Sequence, residues 1–201
     1  MPSTLLIDLG SHDSVAVIAF TQPGYPRLTQ ALLRELQDLL CEIQLGGLFQ
    51  GVVIAANARS FAVGAAIDEV ATLDATSGRA FSDFGQRVFE QIASYPLPVV
   101  AAIRRYCLGG GLDLALACHA RVATYDSSLG YPGGRLGLIT GWGGTQRLPR
   151  LIGKGAALEI FLAGERIPAT QAVVDEIVSA NDLIEAAARH ATRLTARPAR
   201  P

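Results

Sequence analysis

Two glycine-containing turns are the part of this sequence best suited to chemistry. Gly109-Gly110-Gly111 lies between an apolar run and a helical pattern, and Gly64-Ala65 follows an earlier apolar run in the same way. Glycine lets a ligand approach the main chain closely, and the first N–H groups of a helix have no intrahelical acceptor. Each turn could therefore hold an oxygen atom that gains negative charge, or could serve only the tight packing of a strand against a helix.

The bulk composition describes a globular protein without a polyanionic partner. Half of the 201 residues are hydrophobic, 17% are charged and the formal net charge is −1, which argues against binding of nucleic acid. The sequence has no signal-peptide pattern and no apolar stretch of about 18 residues, so we expect a cytoplasmic protein that does not contact a membrane. Cys41, Cys107 and Cys118 lack metal-binding spacing, so we expect them to be buried and reduced, without a metal.

The apolar patterns along the chain alternate between strands and helices. Strands are expected at 15–20, 52–56, 98–103, 121–124 and 177–178. Helices are expected at 28–43, 81–92, 112–118, 155–162, 169–175 and 182–194, with a glycine-rich loop over 130–144. This alternation predicts one α/β domain over residues 1–201 with a mostly parallel sheet. Open sheets of this kind bind ligands at the carboxyl ends of their strands, which is where both glycine turns would lie.

Several segments resemble the crotonase (enoyl-CoA hydratase/isomerase) superfamily. Residues 61–67 (FAVGAAI) are similar to its F-x-A-G-A-D-I loop, and residues 108–115 (LGGGLDLA) are similar to its x-G-G-G-x-E-L-A segment. Residues 141–148 (GWGGTQRL) resemble its G-x-G-G-T-Q-R-L stretch. The similarity runs in register from about residue 15 to residue 197. It implies a divergent crotonase-like member whose fold is a spiral of repeated ββα units.

The resemblance also implies a ligand and a site. The ligand would be an acyl-CoA or acyl-carrier-protein thioester, with its carbonyl oxygen held between the N–H groups of Ala65 and Gly110 in an oxyanion hole. No cofactor is implied beyond the coenzyme A of the substrate, and a homotrimer or other homo-oligomer is implied. The remaining substrate- or CoA-binding positions carried over from the family are Arg27, Val63, Gly64, Ala66, Ile67, Gly109, Leu136 and Trp142.

The sequence departs from the family at its two catalytic glutamates. The first falls on Asp113 and the second on Gly133, and glycine cannot transfer a proton. We therefore do not expect ordinary hydration. Asp113 is either the sole general acid/base, facing the bound α-carbon, or an acidic residue favoured near a helix N-terminus. Tyr131 and Arg135 flank Gly133, and each could reach the pocket or serve packing or the surface.

These departures leave more than one function open. Isomerase, decarboxylase or one-base dehydratase chemistry on an acyl thioester is the leading hypothesis, and a catalytically silent acyl-thioester binding or assembly subunit is the alternative. The family's C-terminal helices are largely missing from the sequence, so we expect looser nucleotide binding or a carrier-protein substrate. A serine hydrolase is disfavoured, because His12, His119 and His190 have no obvious nucleophile partner. His119 is expected at the surface or at a strand edge.

Overall fold

A six-stranded sheet forms the centre of the protein. In the computed structural model, which describes residues 6–56 and 59–196, its spatial order is β1-β2-β3-β4-β6-β9. These strands are β1 (Ile7–His12), β2 (Val15–Phe20), β3 (Gly51–Ala56), β4 (Val99–Ile103), β6 (Ala120–Thr124) and β9 (Glu176–Val178). Only the β1–β2 pair is antiparallel among these neighbours. The prediction of an α/β fold with a mostly parallel sheet is confirmed.

A second, three-stranded sheet lies beside the first. Its members are β5 (Tyr106–Leu108), β7 (Ser128–Gly130) and β8 (Arg166–Pro168), in the order β5-β7-β8. The β5–β7 pair is parallel and the β7–β8 pair is antiparallel. Strands of three residues are too short to show alternation between buried and exposed positions, so sequence periodicity did not predict them.

The helices cover both faces of the large sheet. They are α1 (Gln30–Gly46), α2 (Ile67–Val70), α3 (Ala75–Ala93), α4 (Gly110–Ala117), α5 (Gly144–Ile152), α6 (Lys154–Ala163) and α7 (Leu183–Thr195). Val52 and Ile54 of β3 pack in the cluster that contains α1 and α3, whereas Val53 and Ala55 pack in the cluster with α7. Burial on both faces explains why the central strands β2, β3 and β4 are continuous apolar runs. No helix within the described ranges is both long and apolar enough to cross a membrane.

Two predictions about local structure are wrong. The helix predicted at 169–175 is only a 3₁₀ turn, Ala169–Gln171. The next residues are drawn to the sheet because Asp175 N donates to Arg121 O at 2.8 Å and the Asp175 carboxylate pairs with the Arg121 guanidinium at 3.0 Å. Cys41 is exposed, whereas the other two cysteines are buried as expected.

Candidate active site

Backbone hydrogen bonds bring the two glycine turns together. Phe61 N donates to Arg104 O at 2.9 Å, and Ala62 N donates to Tyr106 O at 3.0 Å. In return, Leu108 N donates to Ala62 O at 2.9 Å. The segment that follows β3 is therefore hydrogen-bonded to the segment that follows β4. Each glycine turn begins directly after these hydrogen bonds.

These hydrogen bonds place the N–H groups of Ala65 and Gly110 side by side. A β-carbon on Gly64, whose φ is +104°, would lie 3.3 Å from the Gly110 nitrogen, and one on Gly110 would lie 3.4 Å from the Ala65 nitrogen. Leu28 N donates to Gly64 O and Ala66 N donates to Leu28 O, so the intervening Ala65 N–H faces the opposite side. Within residues 6–56 and 59–196, no acceptor receives either the Ala65 or the Gly110 N–H.

A cavity of about 460 Å³ opens beside these two N–H groups. The predicted site residues that line it are Val63, Gly64, Ala65, Ile67, Gly109, Gly110, Gly133, Leu136 and Trp142. Two other predicted residues lie elsewhere. Ala66 is buried in the core, and Arg27 is half exposed and pairs with Asp68 at 2.9 Å. The structure thus gathers most of the predicted binding positions around one mostly apolar space.

The Asp113 carboxylate lies behind the wall of this cavity. It is fully buried, and it accepts hydrogen bonds from the Tyr131 hydroxyl at 2.8 Å, from the Trp142 N–H at 3.2 Å and from the Thr140 hydroxyl. Burial raises the pKa of Asp113 to about 6, although these three donors and the nearby Arg147 act in the opposite direction. Asp113 itself does not line the cavity.

Two hydroxyl-bearing residues connect Asp113 to the cavity. Tyr131 and Thr140 both donate to the carboxylate, and both line the cavity. Burial raises the pKa of Tyr131 well above its usual value, so its phenol stays protonated. Arg135 is exposed and pairs with Glu165 at 3.4 Å. The sequence analysis missed Thr140, which lies directly before the segment 141–148 that resembles the family.

Gly133 supplies no acidic group to the cavity wall. It lines the cavity, and a β-carbon there would have its nearest neighbour, Leu138 O, at 3.5 Å. Among the described residues, none that lines the cavity carries a carboxylate. The site therefore has one buried carboxylate behind its wall, and a glycine stands where the resemblance places the family's second glutamate.

The histidines have other partners. His119 is exposed just before β6, as predicted. Its Nδ1 accepts the Val99 N–H at 2.9 Å, and desolvation of the ring lowers its pKa. His190 Nε2 lies 2.7 Å from the Glu176 carboxylate. Neither histidine lines the cavity, so neither is placed to activate a nucleophile there.

Comparisons with known proteins identify the family and agree with the fold. The sequence profile of the enoyl-CoA hydratase/isomerase family matches residues 10–200. The structure is similar to DspI from Pseudomonas aeruginosa (TM-score 0.90, 27% identity, 98% of this chain and 83% of that chain covered). It is also similar to enoyl-CoA hydratases from Bacillus anthracis (TM-score 0.89, 34% identity, 96% and 78% covered) and Thermoplasma volcanium (TM-score 0.89, 26% identity, 97% and 79% covered). The chain belongs to the enoyl-CoA hydratase/isomerase family.

Proposed function

We propose that this chain is an acyl-thioester enzyme that stabilises a thioester enolate between the N–H groups of Ala65 and Gly110. One observation carries the proposal: two N–H donors without acceptors in the described structure lie side by side in the wall of a mostly apolar cavity. Such donors stabilise an oxygen as its charge develops, and loss of one typically costs roughly 2.7–4 kcal/mol of transition-state stabilisation. Enolate formation at the α-carbon of a thioester places such a charge on the carbonyl oxygen.

The proton leaves the α-carbon through the hydroxyls that separate Asp113 from the cavity. The hydroxyl oxygen of Tyr131 or Thr140 takes the proton while its own proton passes to the Asp113 carboxylate. The electron pair of the broken C–H bond moves onto the thioester oxygen. Because the pKa of Asp113 is about 6, the carboxylate is ionised and able to accept a proton above that pH.

This arrangement favours reactions that need one proton-transfer group. Isomerisation, decarboxylation and one-base dehydration meet that condition. Ordinary hydration needs a second group on the far side of the substrate, and Gly133 supplies none. The thioester is carried by coenzyme A or by the pantetheine of a carrier protein.

The direct test is exchange of the α-protons of butyryl-CoA in D₂O, followed by mass spectrometry. We expect the wild-type protein to catalyse exchange, with a rate that rises as the pH passes through about 6. The D113N variant keeps the shape of the side chain but should lose about 10²-fold or more of the rate. D126N, which removes an exposed aspartate outside the cavity, is the matched control. Equal exchange by wild type and D113N would contradict the proposal.

A catalytically silent acyl-thioester binding protein is the second candidate. Its support is the position of Asp113, which is enclosed by three donors and does not line the cavity. Binding of butyryl-CoA without exchange, and without turnover of enoyl-, dienoyl- or malonyl-type thioesters, would favour this candidate over the enzyme.

A further inference from the structure

The indole of Trp142 fills the space between α3 and the start of α4. A β-carbon on Gly85 of α3 would lie 2.3 Å from the indole Cδ1 and Nε1 atoms, and one on Gly110 would lie 2.5 Å from Cζ3. The pyrrole edge therefore lies on Gly85 and the benzo edge lies on Gly110. Both positions must be glycine for the ring to take this place.

Several contacts fix the ring. Its centroid lies 5.1 Å from that of Phe81 and 5.6 Å from that of Phe89, which it meets edge-on. The indole Nε1 donates to Phe81 O at 3.4 Å, and the Trp142 N–H donates to Asp113. The side chain is only 3% exposed. Trp142 is therefore a rigid part of the cavity wall.

Two apolar residues of the wall are less constrained than Trp142. Leu136 is 66% exposed and Ile139 is 74% exposed, and both line the cavity. Side chains at the surface change rotamer readily, whereas a packed aromatic ring does so only at the expense of its contacts. Trp142 and the Phe81 ring packed on it are therefore fixed parts of the wall, against which a bound acyl group has to fit.

We infer that Trp142 is a specificity-determining residue that restricts this protein to short-chain acyl thioesters. A carbonyl oxygen bound at the Gly110 N–H brings the first acyl carbons to the benzo edge of the indole, which lies on the same glycine. A longer chain would have to displace the ring from its contacts with Gly85 and Phe81. This inference rests on the proposed thioester site.

The test measures binding, so it does not depend on catalysis. The dissociation constants of butyryl-CoA and octanoyl-CoA are measured by calorimetry for wild type, W142F and W142A. We expect wild type to prefer butyryl-CoA, and the variants to shift the ratio of the two constants toward octanoyl-CoA by about tenfold or more. F20L is the control, because Phe20 is a buried aromatic residue outside the cavity.

The possible outcomes separate the two proposals. A wild-type protein that binds octanoyl-CoA as tightly as butyryl-CoA overturns the role of Trp142 and leaves the thioester site intact. An unchanged ratio in folded W142F does the same, even where W142A fails to fold. A shift of equal size in F20L also overturns it, because general loosening would then explain the result. Absence of binding of either thioester to wild type overturns the proposed function, and this inference with it.

Discussion

At the scale of single residues, the pKa of Asp113 is set by two opposing effects. Burial disfavours its charged form, while three hydrogen-bond donors and Arg147 favour it, and the balance leaves its pKa at about 6. The resemblance to the family identified this carboxylate as the counterpart of the family's first glutamate. It did not identify its partners, because Tyr131 and Thr140 are 18 and 27 positions away and reach Asp113 only in the folded chain.

Asp113 should make folding stability fall as the pH rises. Its pKa is raised from 3.8 in the unfolded chain to about 6 in the folded one, so its contribution is fully present below 3.8 and is lost as the pH rises through about 6. The loss is on the order of 3 kcal/mol between about pH 4 and pH 7. Urea unfolding of wild type and D113N across this range isolates the effect from that of other titrating groups. A stability difference that does not change with pH would contradict the prediction.

At the scale of elements, α3 shows what periodicity reveals and what it omits. The apolar spacing of Phe81, Val88 and Ile92 predicted a helix there, and the structure extends it over Ala75–Ala93. Periodicity gave no reason for Gly85 inside the helix, where glycine costs about 1 kcal/mol relative to alanine. The reason is Trp142, whose ring occupies the place of a side chain at residue 85. A contact between residues so far apart in sequence has no local signal.

The fit between Gly85 and Trp142 predicts strong coupling between their substitutions. G85A should destabilise the protein although alanine is the better helix former, because its methyl group would overlap the indole. W142A should cost about 3–5 kcal/mol. The double variant should be more stable than the sum of the single effects predicts, by about 1–3 kcal/mol, in denaturant unfolding.

Gly78 provides the matched control in the same helix. A β-carbon there would have its nearest neighbour at 3.9 Å, so G78A should stabilise the protein by about 0.4–1 kcal/mol. Additive effects of G85A and W142A would show that the two residues do not share one space.

At the scale of the whole molecule, the fold was more predictable than the site. The long apolar runs such as Val52–Ala55 indicated strands buried on both faces, and α7 covers the second face as this requires. The three-residue strands of the small sheet had no comparable pattern, yet β5 and β7 support the glycine turn, since Gly109 N donates to Gly130 O at 2.9 Å. The short strands β5 and β7 therefore help to position the glycine turn that follows the long strand β4.

Self-association is the prediction that belongs to this scale. Leu158 and Leu162 of α6 are 55% and 76% exposed, one helical turn apart. We expect the chain to form a homo-oligomer, measurable by size-exclusion chromatography with light scattering, and L158E/L162E to shift it toward monomer. Leu45 and Leu48, which are 87% and 80% exposed beside the end of α1, provide the matched control L45E/L48E. A monomeric wild type at all concentrations, or equal dissociation by the control, would count against this.

The two donors of the proposed oxyanion hole belong to the main chain. In a saturation mutagenesis experiment, carbonyl binding should therefore be lost chiefly at Gly64 and Gly110, where any side chain disturbs the backbone or its neighbours. Proton transfer depends on side chains such as Asp113, which mutation can replace one at a time. A lineage with this fold can exchange its reaction, or lose it, and still bind the same class of ligand. Divergence at positions 113 and 133 is therefore poor evidence for a change of ligand.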